Sequence, residues 1–99
     1  MTNPAVQLLL VDGRPTVRGE CDLATGREIE AWLDSFDTPI LEVDLSGVSF
    51  IDSSGLKAFL NVRKRNANMR IVEPSAVVLR LLAITGTHGF LVDGVGIDY

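Results

Sequence analysis

Val6 to Val11 is apolar apart from Gln7 and partly β-branched, and the Asp12-Gly13 behind it is a strong two-residue turn signal. Pro15 to Glu20 resumes an extended pattern with Thr16 and Val17, so the first twenty residues read as a hairpin. Pro15 cannot donate a ladder hydrogen bond, which suits an outer strand or the first residues of a strand. Gly19 to Asp22 closes the hairpin, and Asp22 can cap a helix starting directly after it. Thr25, Ile29, Trp32, Leu33 and Phe36 fall on one helical face, with Arg27, Glu28, Glu30 and Asp34 opposite. That spacing predicts an amphipathic helix of about three turns, ended by Ser35 to Pro39.

Ile40 to Leu45 then alternates large apolar residues with carboxylates, as a half-buried strand does, and the pattern breaks at Ser46-Gly47 as if the strand left its sheet there. From Leu56 the period changes to Leu56, Phe59 and Leu60, which predicts a second helix over about residues 54 to 66. Met69 to Glu73 reads as a short strand. Pro74-Ser75 starts a third helix, apolar nearly all round from Ala76 to Ile84 and stopped at Gly86. Such a helix needs cover on two sides, which neighbouring helices are expected to supply. Phe90 to Val92 reads as a last short strand. Helices after every strand from the second onward call for right-handed crossovers: an α/β fold with a mostly parallel sheet of four to five strands and an antiparallel N-terminal hairpin. Ninety-nine residues are expected to form one domain, residues 1–99, large enough to bury roughly two-thirds of its unfolded surface without metal or disulfide.

The chemistry concentrates where the central strand gives way to the second helix. Asp52-Ser53-Ser54-Gly55 is the residue mix that starts a helix, and it sets hydroxyls beside free backbone N–H groups that tolerate an anion. On spacing alone Ser53 is an ordinary helix-start residue. A serine nucleophile needs a base, and the single histidine, His88, sits between Thr87 and Gly89 with no Gly-x-Ser-x-Gly elbow around either serine. No glycine-rich phosphate loop is present, and the one cysteine, Cys21, makes neither an internal disulfide nor a metal site by itself. Cys21 is expected to behave as a small buried hydrophobe. These readings give no catalytic residue, no metal and no cofactor.

Charge changes the picture once. The net charge of -4 argues against a nucleic-acid surface, but its distribution is uneven. Residues 1 to 52 hold ten acids and three bases, net -7; residues 53 to 99 hold three acids and six bases, net +3, and the two sum to -4. The sign turns at Ser53. Lys57, Arg63, Lys64, Arg65 and Arg70 supply five of the nine bases, either as a solvated helix face or as an edge that faces a partner. The longest apolar stretch is far short of the ~20 residues a bilayer span requires. With a lone cysteine and no charged, apolar, small-residue leader, the expected compartment is a reducing cytoplasm.

Val43-Asp44-Leu45-Ser46-Gly47-Val48-Ser49-Phe50-Ile51-Asp52-Ser53-Ser54-Gly55-Leu56 resembles the signature of the STAS family, shared by anti-sigma-factor antagonists and the cytoplasmic ends of sulphate transporters. The resemblance extends back to Gly19-Glu20-Cys21-Asp22-Leu23, with Cys21 where a leucine is usual, and forward to Glu73-Pro74-Ser75 and Leu82 to Gly86. It implies helices packed on one sheet face. In the antagonists the first serine after the aspartate is phosphorylated, which maps onto Ser53. The resemblance further implies a partner surface of Asp22, Asp52, Ser54, Gly55 and Lys57. Its partners would be an anti-sigma-factor serine kinase, which carries the ATP, and a phosphatase that resets the modified form. A different branch implies an unphosphorylated subunit of a lipid- or anion-transport assembly.

Overall fold

The computed structural model describes residues 5–94. Strands β1 (Val6–Val11) and β2 (Arg14–Cys21) form the expected hairpin, pairing Val6 with Gly19, Leu8 with Val17 and Leu10 with Pro15. Asp12 and Gly13 both adopt left-handed φ, +51° and +79°, the backbone twist that a two-residue hairpin turn requires. Pro15 is the second residue of β2, ahead of the first β2–β3 pair, Thr16 with Asp44. Helix α1 (Leu23–Asp34) comes next, then β3 (Leu41–Ile51), α2 (Ser53–Arg65), β4 (Met69–Val72), α3 (Ala76–Thr85) and the single-turn α4 (His88–Leu91). The sheet order is β1-β2-β3-β4, with β2, β3 and β4 parallel.

Leu41, Val43 and Leu45 of β3 and Met69 and Ile71 of β4 point to one face and are buried with Ile29, Leu33, Phe59, Val62 and Leu82 of the helices in one continuous core. Glu42 and Arg70 point the other way and are exposed, and Arg14 pairs with Glu42 across that open face at 3.6 Å. Helices therefore cover one face of the sheet.

Three expectations are corrected. The central strand does not leave the sheet at Ser46-Gly47; β3 runs on to Ile51. Register shifts against β2 absorb the irregularity, and the Arg18 stem occupies the space beside Gly47, where a Cβ would stand 2.6 Å from Arg18 Cγ. A glycine there keeps the ladder intact rather than ending it. Phe90 to Val92 is not a strand, because Phe90 and Leu91 enter the core from α4. Arg63 holds that turn down, its Nε donating to the Phe90 carbonyl at 3.2 Å and its guanidinium lying 4.4 Å from the Phe90 ring centre.

Nor is α3 covered on two sides. Val78 and Leu82 are buried, whereas Val77, Leu79 and Ile84 are 38%, 41% and 75% exposed. The cause is that α1 and α2 pack on each other, while α3 lies over β3 and beside α4 with no further helix outside it among the described residues.

Candidate functional site

Parallel neighbours β2 and β3 end level with each other, Cys21 opposite Ile51, and the next residue of each chain segment is an aspartate that caps a helix. Asp22 accepts from the amides of Ala24 at 2.9 Å and Thr25 at 3.1 Å, and the Thr25 hydroxyl accepts from the Asp22 amide at 3.0 Å, closing a capping box. Asp52 accepts from the Gly55 amide at 3.0 Å and donates its own amide to the Cys21 carbonyl at 3.2 Å. Two helix N-termini thus stand side by side at the carboxyl ends of parallel strands, where open α/β sheets present ligand and partner sites.

Ser53 is the first residue of α2 and exposed; Ser54 is the second and half-buried. Position alone leaves the amides of both without an acceptor inside the helix. Lys57 is exposed one turn further on. Gly55 is buried beneath them, and a Cβ on it would stand 2.1 Å from the Cys21 carbonyl oxygen, so only glycine lets α2 start this close to the end of β2. Cys21 is fully buried, and burial, then the charges of Asp22 and Asp52, pushes its thiol up to about 12. It is held neutral and inert.

A groove of about 280 Å³ runs between α1 and α2 from this end, lined by Leu23, Gly26, Arg27, Ser54 and Lys57 among others. A larger depression, about 590 Å³, lies at the opposite end of the helices around Phe36, Pro39, Arg65 and Asn68. That end holds helix C-termini and strand N-termini, away from the serines, so volume is a poor guide here.

Two exposed apolar residues close to the site in sequence escaped sequence reasoning. Leu23, the first residue of α1, is 81% exposed, and Phe50, two residues before Asp52, is 47% exposed. The available signal was that Leu23 falls off the Thr25–Ile29–Leu33 face, and an apolar residue off the buried face is uncovered unless something else covers it. His88 lies on α4 beside Asp93, 3.4 Å from Nδ1 to the carboxylate, and gives neither serine a base. Among the described residues no three His, Cys, Asp or Glu side chains are grouped to hold a metal, and no helix is long and apolar enough to cross a membrane.

A four-stranded sheet opening on an antiparallel hairpin, with helices on one face and a capped serine turn after its central strand, defines a small α/β domain class. The chain matches the family described as "Mlab, STAS domain" over residues 5–93, and it belongs to that family. Its fold is similar to that of an anti-sigma factor antagonist from Mycobacterium paratuberculosis, at 24% identity and a TM-score of 0.66, covering 92% of this chain and 87% of that one. It is also similar to the anti-sigma factor antagonist SpoIIAA in its unphosphorylated form, at 24% identity and a TM-score of 0.62, covering 89% and 86%. No curated protein matches the chain.

Proposed function

We propose that this protein is an anti-sigma-factor antagonist: unphosphorylated, it docks on an anti-sigma factor that is also a serine kinase, and phosphorylation of Ser53 switches it off. The observation that carries the reading is the exposed Ser53 at the first position of α2, directly after the cap Asp52, whose amide is tied to Cys21 beside the cap Asp22, with Leu23 exposed at the start of α1. A hydroxyl to modify, charge around it and apolar surface beside it suit a binding face whose affinity a phosphate can reset. Asp22, Asp52, Ser54 and Lys57 contribute to that face, and Gly55 acts indirectly by letting α2 approach β2. The protein is a substrate and not an enzyme: ATP sits on the kinase, and a separate phosphatase returns Ser53 to its free form in the cytoplasm.

The test is incubation with ATP and a candidate kinase, followed by intact-mass measurement. Wild type gains one phosphate, Ser53→Ala gains none and Ser54→Ala is at most reduced; full incorporation into Ser53→Ala would overturn the assignment. The second reading, within the same family, is an unphosphorylated subunit of a lipid- or anion-transport assembly. It expects no phosphate on any variant and co-purification with a transporter ATPase.

A further inference from the structure

We infer that Lys57 is the internal counter-ion of a phosphate on Ser53, so that phosphorylation both adds negative charge to the docking face and withdraws the positive charge beside it. This rests on the reading of Ser53 as a phosphoacceptor. Ser53 and Lys57 occupy the first and fifth positions of α2 and are both exposed. Residues four apart share one helix face with Cβ atoms about 5–6 Å apart. Side chains tilt toward the helix N-terminus, so the long Lys57 stem lies over the turn that begins with Ser53. An anion N-terminal to a lysine at this spacing is also the favourable order of the pair.

Lys57 is available for the task. It makes no ion pair within 4 Å among the described residues; its charge reaches Glu30, but that carboxylate accepts its hydrogen bonds from Arg65 and Asn61. The charged groups around a phosphate here are Asp22, Arg27 and Glu30 from the α1 side and Asp52 and Lys57 on α2. The two caps repel the phosphate and are tied to the amides of Ala24 and Gly55, whereas Lys57 is the cation one turn along the face of α2 that Ser53 begins. Before phosphorylation the same ammonium faces a partner, so one side chain takes different partners in the two states.

The experiment uses the full chain with phosphoserine built in at position 53 during synthesis, so its result does not depend on whether any kinase modifies this protein. The second ionisation of the phosphate is followed by phosphorus NMR across pH 4–8 in wild type, Lys57→Gln, Lys57→Arg and Arg27→Gln. Pairing with Lys57 places the midpoint lower in wild type than in Lys57→Gln by about half a pH unit at low salt, with Lys57→Arg close to wild type. The difference shrinks at 1 M salt. Equal midpoints in wild type and Lys57→Gln, or a larger effect from Arg27→Gln, would overturn the assignment. Absence of any kinase acting on Ser53 would remove the proposed function while leaving this midpoint difference as measured.

Discussion

Gly26 in α1 and Gly55 in α2 both sit where elements crowd, yet a methyl group on each meets different surroundings. On Gly55 it would strike the Cys21 carbonyl, whose atoms are fixed by the sheet; on Gly26 it would find the Ser54 carbonyl oxygen at 3.5 Å and the Ala58 methyl at 4.0 Å, ordinary contact distances. Gly26→Ala is therefore expected to stabilise by about 0.5–1 kcal/mol, the helix propensity difference between glycine and alanine. Gly55→Ala is expected to destabilise by about 1–3 kcal/mol or more, as overpacking against rigid backbone does. Urea denaturation of the two variants checks both signs, and an unchanged midpoint for Gly55→Ala would refute the close approach. At this scale the capping roles of Asp22 and Asp52 were legible, because short carboxylates before an apolar period have few other uses. The burial of Gly55 was not, since it depends on where another strand ends.

Between elements, the α1–α2 pair is pinned at its far end by Arg65, which bonds Asp34 at 2.6 Å and Glu30 at 2.5 Å, with Asn61 adding a bond to Glu30 at 3.2 Å. The Arg65 hydrogen bond, more than any other cause, holds the Glu30 carboxyl below the usual glutamate range. A depressed folded-state value means that the stabilisation is present above the ordinary glutamate pKa and is lost as pH falls through the folded one. Exposure and salt keep it small. The melting temperature of Arg65→Ala is therefore expected to lie slightly below wild type at neutral pH and low salt. The gap should close as the pH falls through the lowered Glu30 value, below the ordinary glutamate range, and Glu30 takes up its proton; a gap that persists undiminished once the carboxylates are protonated would show that the guanidinium acts by packing instead. None of this clamp was legible as a clamp, because a basic last turn on α2 reads equally as a solvated face. Periodicity placed the hairpin and the helices α1 to α3, but it misread Ser46-Gly47 as an end, where neighbouring strand register decided, and Phe90 to Val92 as a strand, where burial against Arg63 decided. It also expected cover for α3 that the tertiary arrangement does not give.

For the whole molecule, the change of charge at Ser53 has a local counterpart: the carboxylate caps Asp22 and Asp52 stand at neighbouring helix starts, and Lys57, Arg63, Lys64 and Arg65 lie further along α2. An acidic side chain at position 53 adds to the first group without disturbing the fold, since an exposed anion at the first turn of a helix is favourable by about 0.3–1 kcal/mol. What it changes is the face presented to a partner. Any partner group that tolerates Asp22 and Asp52 must then also face a third negative charge, near the exposed apolar Leu23 at the start of α1. Like charges brought together at an interface cost several kcal/mol, and about 2.8 kcal/mol already lowers affinity a hundredfold. Ser53→Asp is thus expected to melt within a few degrees of wild type and to lose measurable binding to the proposed kinase partner, while Ser53→Ala, which removes the hydroxyl and adds no charge, still binds. Calorimetric titration against the partner, with circular dichroism on the same samples, decides the matter. Wild-type affinity for Ser53→Asp would show that added charge does not govern docking, and an unfolded Ser53→Asp would show that phosphorylation acts through the fold.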